Sequence, residues 1–232
     1  MRPRRPTRSR GRETSLGEPT TCVVAGEELL LLPERAAYWP AKRALFVADY
    51  HLGKAASFRS AGIPLPAGTT SETVERLERV VERTRAAHVV FLGDFLHSAA
   101  GRAPRTLARF AAWREERADI EITLVRGNHD ARAGDPPEEW RMRAIDAGER
   151  LGPFVLDHEP RPARGGYGLA GHIHPAVRLS AGDDSLRLPC FWFAARYGVL
   201  PAFGAFTGTA VVRPRQGDQV FVIADGEVLK VS

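Results

Sequence analysis

Val89-Val90-Phe91-Leu92-Gly93-Asp94 is a run of four apolar residues that stops on a glycine and a carboxylate. Such a run reads as a strand buried on both faces, and the Gly-Asp reads as the turn at its carboxyl end. The same arrangement stands on either side of it. Upstream, residues 44–48 run as Ala-Leu-Phe-Val-Ala into Asp49-Tyr50-His51, and downstream Ile122–Val125 runs into Gly127-Asn128-His129-Asp130. Between the runs lie two helical patterns. Over Ser71–Ala87, Val74, Leu77, Val80 and Val81 recur at three- and four-residue spacing; over Pro104–Arg117, a proline opens the segment and Leu107, Phe110 and Trp113 share one face. Strands alternating with helices make an α/β pattern. In open α/β sheets the ligand crevice lies beyond the carboxyl ends of the strands, so the polar groups at these three ends are expected to converge.

Working outward, earlier strands are expected at Thr21–Val24, Glu28–Leu32 and Ala36–Trp39. The charged stretch Pro137–Leu151 is expected to be helical. Beyond it the pattern is of strands alone, at Phe154–Asp157, Tyr167–Ala170, Ala176–Ser180, Phe191–Ala194, Thr209–Val212, Gln219–Ile223 and Glu227–Val231. A second sheet packed face to face on the first accounts for them. The expected fold is therefore α/β, with two packed β-sheets flanked by helices in one domain over residues 21–232. There is no internal repeat.

With 232 residues, 44% of them hydrophobic, the chain can bury a core of ordinary size. Cys22 and Cys190 lie far apart and in no CxxC spacing, which suggests neither a zinc knuckle nor a disulfide framework; reduced thiols in the cytoplasm are expected. No apolar stretch is long enough for a membrane helix, and the N-terminus lacks the apolar centre of a signal peptide, so no membrane partner is expected. The net charge of +5 comes mostly from residues 1–20, which hold six arginines against Glu13 and Glu18. That segment has almost nothing to bury and is expected to be a disordered Arg-rich tail. A phosphate-backbone arm and an overhang without a role both remain open for it.

The groups at strand ends form one constellation: Asp49 and His51, Asp94, Asn128 with His129 and Asp130, His158 in Leu156-Asp157-His158-Glu159-Pro160, and Gly171-His172-Ile173-His174. Five of the seven histidines belong to it, and only His88 and His97 lie outside. Taken singly, an Asp-x-His is usually a surface accident, a Gly-Asp usually a turn, and a buried histidine usually a satisfied core residue. Five such motifs in this order are not. Carboxylate oxygen and imidazole nitrogen suit hard-to-borderline divalent ions, and a shared aspartate neutralises the repulsion between two of them. Two ions about 3.5–4 Å apart can activate a water and steady the charge of an in-line displacement at phosphorus. His-x-His and Asp-x-His spacing would let alternate residues of an extended chain reach one cluster.

These motifs, spread over about residues 21–232, resemble those of the calcineurin-like metallophosphoesterase superfamily. The resemblance implies a two-sheet sandwich with a dinuclear centre of two divalent ions, manganese foremost, with iron or zinc as alternatives. Carried over motif by motif, Asp49, His51 and His174 would bind one ion, Asn128, His158 and His172 the other, and Asp94 would bridge them. His129 would stand by the leaving-group oxygen as general acid or charge stabiliser, with Asp130 orienting it.

Three finer stretches are similar to the bacterial ligase-associated DNA damage response endonucleases, a phosphodiesterase branch. They are residues 48–54 (Ala-Asp-Tyr-His-Leu-Gly-Lys), Gly93–Ser98 with His97 where many relatives have aspartate, and the late stretches Pro189–Phe193 and Leu200–Gly208. Thr209 departs from that branch, where a second glycine is expected. The resemblance implies a phosphodiester substrate such as DNA, a DNA-repair setting, and association with a DNA ligase or helicase. A phosphatase or nucleotidase of the same fold, and a non-catalytic scaffold, are the competing readings; the intact ligand set speaks against the scaffold. Phe191, Trp192, Phe193, Tyr197, Phe203 and Phe206 fit core packing, a homodimer contact, or stacking on the bases of a single strand. His97 reads either as a neighbour supporting Asp94 or as an ordinary helix-start histidine. Lys54, Arg59 and Arg126 are candidate phosphate partners.

Overall fold

The computed structural model describes residues 17–60, 62, 69–99, 102–181 and 184–232. The first sheet holds seven strands in chain order: β1 (Thr20–Val24), β2 (Glu27–Leu32), β3 (Ala36–Trp39), β4 (Ala44–Val47), β5 (His88–Leu92), β6 (Glu121–Val125) and β7 (Arg143–Ile145). β1 to β4 pair antiparallel and β4 to β7 parallel. The parallel half needs crossovers, which α2 (Thr69–Thr84) supplies between β4 and β5 and α3 (Pro104–Glu116) between β5 and β6; the short α1 (Lys54–Ser60) precedes α2. The second sheet comprises β8 (Arg150–Leu151), β9 (Phe154–Leu156), β10 (Tyr167–Ala170), β11 (Pro175–Ala181), β12 (Asp184–Phe193), β13 (Tyr197–Val199), β14 (Ala210–Val211), β15 (Gln219–Ala224) and β16 (Glu227–Lys230). The two-sheet sandwich with flanking helices expected from the sequence is what the structure shows.

Residue alternation along the strands divides the core. Leu45, Val47, Val89, Phe91, Ile122 and Leu124 pack with Val74, Leu77 and Val80 of α2 and Phe110 and Trp113 of α3. Their neighbours Ala44, Phe46, Val90, Leu92 and Val125 pack with Phe154, Leu156, Leu169, Phe191 and Phe221 of the second sheet. Each fully buried Leu, Val or Phe here contributes about 1.5–3 kcal/mol, so a sheet apolar on both faces is anchored twice. A smaller cluster of Val177, Cys190, Val220 and Val222 lies apart from this sheet-to-sheet core.

The stretch Pro137–Leu151 is not a helix. It folds as one 3-10 turn (Glu138–Trp140), then β7 and β8. Trp140 is buried against Phe110 and Phe95, its carbonyl accepts the Arg114 Nε–H at 2.7 Å, and residues 143–145 find a parallel partner in β6. Those partners come from α3 and β6, which local composition cannot see. The expected Thr209–Val212 strand shortens to β14, and β13, which joins β12 to β10, was not anticipated. The expected disordered tail lies outside the described residues for positions 1–16. Gly17 is already bonded, its N–H to the Gly226 carbonyl at 3.0 Å, and Thr20 opens β1.

Candidate metal centre

The polar groups singled out above stand on the loops that leave β4, β5, β6, β9 and β10. Backbone bonds stitch the first two loops together: Asp49 N–H to Gly93 O (3.3 Å), His51 N–H to Asp94 O (2.9 Å) and Leu52 N–H to Phe95 O (2.7 Å). Tyr50 is fully buried, stacked between Phe95 and Phe203 at 5.2 and 5.8 Å, so the side chain between Asp49 and His51 is a core anchor. The flanking pair is thereby turned to the crevice.

That presentation does not come from an extended chain. Asp49, His51, Asp94, His172 and His174 all have left-handed φ, between +49° and +69°. Such a backbone costs a non-glycine residue about 1–2 kcal/mol, and Asp and His tolerate it better than most. Five strained residues gathered at one place mark a geometry held by its surroundings for use. Tight left-handed turns bring the Asp49/His51 pair to one group of ligands, whereas the His172/His174 pair is divided between two.

Two groups of ligand atoms result. Asp49, His51 and His174 converge within 4.8 Å, and so do Asp94, His158 and His172. In the second group the His158 Nδ1–H donates to the Leu92 carbonyl (3.1 Å), which leaves Nε2 with a free electron pair. That Nε2 faces Asn128 Oδ1 at 3.0 Å, His172 Nδ1 at 2.9 Å and Asp94 Oδ1 at 3.4 Å. In the first group the His174 Nδ1–H donates to Gly208 O (2.9 Å), and its Nε2 faces His51 Nε2 at 3.4 Å and Asp49 Oδ1 at 3.6 Å. Electron pairs aimed at one another at these distances repel unless positive charge lies among them. The donor set, nitrogen and oxygen with each fixed imidazole held by a carbonyl behind it, fits divalent metal ions.

The two imidazoles of the first group are shifted in opposite directions. Burial, reinforced by Lys54 and the imidazoles of His174, His97 and His129, pushes the His51 pKa far below the usual imidazole value and keeps it a neutral donor. Burial also lowers His174, but the hydrogen bond and charge of Asp49 outweigh it and leave the pKa raised.

Glycines at the strand ends are spaces for ligands. A Cβ on Gly93 would lie 2.1 Å from His158 Nδ1, and one on Gly171 would lie 2.5 Å from Asp49 Oδ2. This is why carboxylate and imidazole here follow glycine.

His129, in the short helix α4 (Asn128–Ala133), donates Nδ1–H to the His97 carbonyl at 2.6 Å and holds Nε2 3.9 Å from Asp94 Oδ2. The expectation that Asp130 orients His129 is corrected. The buried Asp130 carboxylate accepts three backbone N–H groups, from Leu96 (2.8 Å), Gly127 (3.0 Å) and Phe95 (3.2 Å), and so ties the Asp94 loop to the Asn128 loop. Burial raises its pKa, and the three N–H donors act against that rise. Orientation of His129 falls instead to His97, whose ring also stacks on His129 at 4.9 Å. His97 stands beside His51 and His129, with ring centroids 5.3 and 4.9 Å apart. Burial, then Lys54 and His129, lower its pKa to about 4.

The family model described as calcineurin-like phosphoesterase matches residues 42–194. The solved structure of the nuclease MPE of Pseudomonas putida shares 39% identity, covers 92% of this chain and 100% of its own, and superposes with a TM-score of 0.82. The chain belongs to the calcineurin-like phosphoesterase family. A solved structure of Yfce, a phosphoesterase from E. coli, aligns at 15% identity over 81% of this chain and 97% of its own, with a TM-score of 0.41. No curated protein matches the chain.

The family is dinuclear and metal-dependent, and this phosphoesterase presents two candidate metal-binding groups. All seven expected ligands and His129 lie on the loops of one crevice. Arg126 does not serve as a free phosphate partner, because Asp135 holds it bidentately at 2.8 Å and Asp146 adds a bond at 3.1 Å. Lys54 remains at the rim, where burial lowers its pKa and the charges of Asp49 and Asp94 raise it. The aromatic stretch divides: Phe191, Phe193 and Phe203 are buried core, whereas Phe206 is half exposed. Among the described residues no helix is long and apolar enough to cross a membrane.

Proposed function

We propose that this phosphoesterase is a phosphodiesterase that cleaves nucleic acid internally, using two divalent ions, with manganese the working metal and iron or zinc able to substitute. The observation that carries the reading is the pair of facing electron-pair clusters with His129 beside them. In it Asp49, His51 and His174 would hold one ion and Asn128, His158 and His172 the other, and Asp94, beside His158 and His129, would complete the set. When bound, the ions supply Lewis-acid activation of water and neutralise charge on the phosphoryl oxygens.

The chain's own groups do the rest. The His97 carbonyl keeps the proton on His129 Nδ1 and aims Nε2 at the crevice. As water adds to phosphorus and the ester bond opens, His129 as imidazolium gives its Nε2 proton to the departing oxygen and is left as the neutral Nδ1–H tautomer that the His97 carbonyl holds. Asp130 acts only by holding the two ligand loops in register. Nucleic acid as substrate is supported by the likeness to a nuclease that this chain matches over that protein's whole length. A place in DNA repair beside a ligase or helicase belongs to the same reading and rests on the family resemblance.

The test is rate on bis-p-nitrophenyl phosphate against p-nitrophenyl phosphate, which share a leaving group, together with opening of circular single-stranded DNA. The reading predicts that manganese-loaded protein favours the diester and linearises the circle. Preference for the monoester would make the chain a phosphatase, and no hydrolysis with any divalent ion would make it a scaffold.

A further inference from the structure

One aromatic side chain is placed as no core residue would be. Phe206 is 50% exposed, and among the described residues it is the only aromatic in the set of large exposed apolar side chains, the others being Val or Leu. Its backbone is left-handed, at φ +57°, a conformation costly for a bulky residue. The loop that holds it there is tied at both ends to the ligand turns. Gly204 N–H donates to the Asp49 carbonyl at 3.0 Å, and the Gly208 carbonyl accepts His174 Nδ1–H at 2.9 Å. Within the loop, Thr207 Oγ1 donates to Gly204 O at 3.1 Å. Phe206 therefore stands in a fixed relation to the candidate metal centre. Phe206 is among the residues lining a shallow depression shared with His51, Lys54 and Thr73.

Resting on the phosphodiesterase reading, we propose that Phe206 and Lys54 form a subsite for the nucleotide next to the scissile phosphate, the ring stacking on its base and the ammonium meeting its phosphate. An exposed aromatic face accepts any base, because every base offers a π-face, and a single strand leaves that face free whereas a duplex does not. The subsite thus selects single-stranded nucleic acid without reading sequence. A strained, solvent-facing phenyl adds nothing to the core, which Phe203, buried three residues earlier, already fills.

Thymidine 5′-(p-nitrophenyl phosphate) and methyl p-nitrophenyl phosphate share a leaving group and differ in the nucleoside, so the change in the ratio of their kcat/KM values between Phe206 variants isolates the part of the ring. With manganese-loaded protein, Phe206→Ala lowers that ratio ~10-fold through KM, and Phe206→Trp restores it. In parallel, metal-free Phe206→Ala protein binds fluorescein-labelled oligothymidylate ~10-fold more weakly than wild type by anisotropy, with Phe206→Trp again recovering affinity. A ratio and an affinity equal in all three proteins would overturn the subsite. Failure of wild type to hydrolyse either diester would overturn the phosphodiesterase reading instead, and the metal-free binding comparison would still judge Phe206.

Discussion

Replacing Gly171 with alanine tests whether the candidate centre depends on close approach of backbone to ligand. Gly171 is not among the residues with positive φ, so alanine is free to adopt its backbone and the effect is steric. The new Cβ would lie 2.5 Å from Asp49 Oδ2 and 2.6 Å from the Ala48 Cβ. A carbon meets an oxygen at about 3.3 Å, so the Asp49 carboxylate must retreat by about 0.8 Å. It is held against that movement by two bonds from His172 N–H, at 2.9 and 3.1 Å. Metal ligands tolerate displacements of about 0.5 Å, so the Asp49, His51 and His174 group should lose about 10- to 100-fold in affinity. Overpacking should also cost the metal-free fold about 1–3 kcal/mol. Calorimetric titration of metal-free protein with manganese reads the first effect and urea denaturation the second. Two ions bound by Gly171→Ala with wild-type affinities would refute the reasoning.

Further outcomes follow from the same geometry. His129→Ala should lower kcat on bis-p-nitrophenyl phosphate by about 10²- to 10⁴-fold while manganese still binds, and a parallel loss of metal affinity would contradict the assignment of His129 as proton donor. Asp130→Ala should destabilise the metal-free protein by about 3 kcal/mol in urea, since three buried backbone N–H groups lose their acceptor; a change below about 0.5 kcal/mol would remove its role as a tie between loops. Stripping the metal with a chelator should lower Tm and re-addition of manganese restore it, because ions that bind only the folded chain stabilise it by mass action. Burial pushes the Cys22 thiol up to about 11 and the Cys190 thiol up to about 12, so at pH 8 both stay protonated and native protein should resist iodoacetamide until it is unfolded.

What could be read in the sequence was what repeats locally. The runs ending at Asp49, Asp94 and Asn128 carry their own punctuation, an apolar strand followed by glycine or a carboxylate, and their alternation predicts a sheet covered on both faces. The candidate ligand groups were legible for the same reason, since each motif abuts a strand end. Three things were hidden because their causes lie far along the chain. Residues 137–151 have a helical composition, yet Trp140 is claimed by Phe110 and β7 by β6. β13 is three residues with a central glycine, and it forms by pairing with β10 and β12. Asp130 was expected to orient His129, and His97 was left open between two readings, because adjacency to His129 says nothing about which group meets its Nδ1. The aromatic run from Phe191 to Phe206 was uniform as sequence, and only burial separates Phe203 from Phe206.

The most direct measurement of the central claim follows bound manganese and hydrolysis of bis-p-nitrophenyl phosphate together as metal-free protein is titrated, in wild type and Asp94→Ala. Two facing ligand groups predict activity that reaches its plateau only when two ions per chain are bound, and that is lost in Asp94→Ala. Full activity at one ion per chain, or activity retained by Asp94→Ala, would contradict a dinuclear centre.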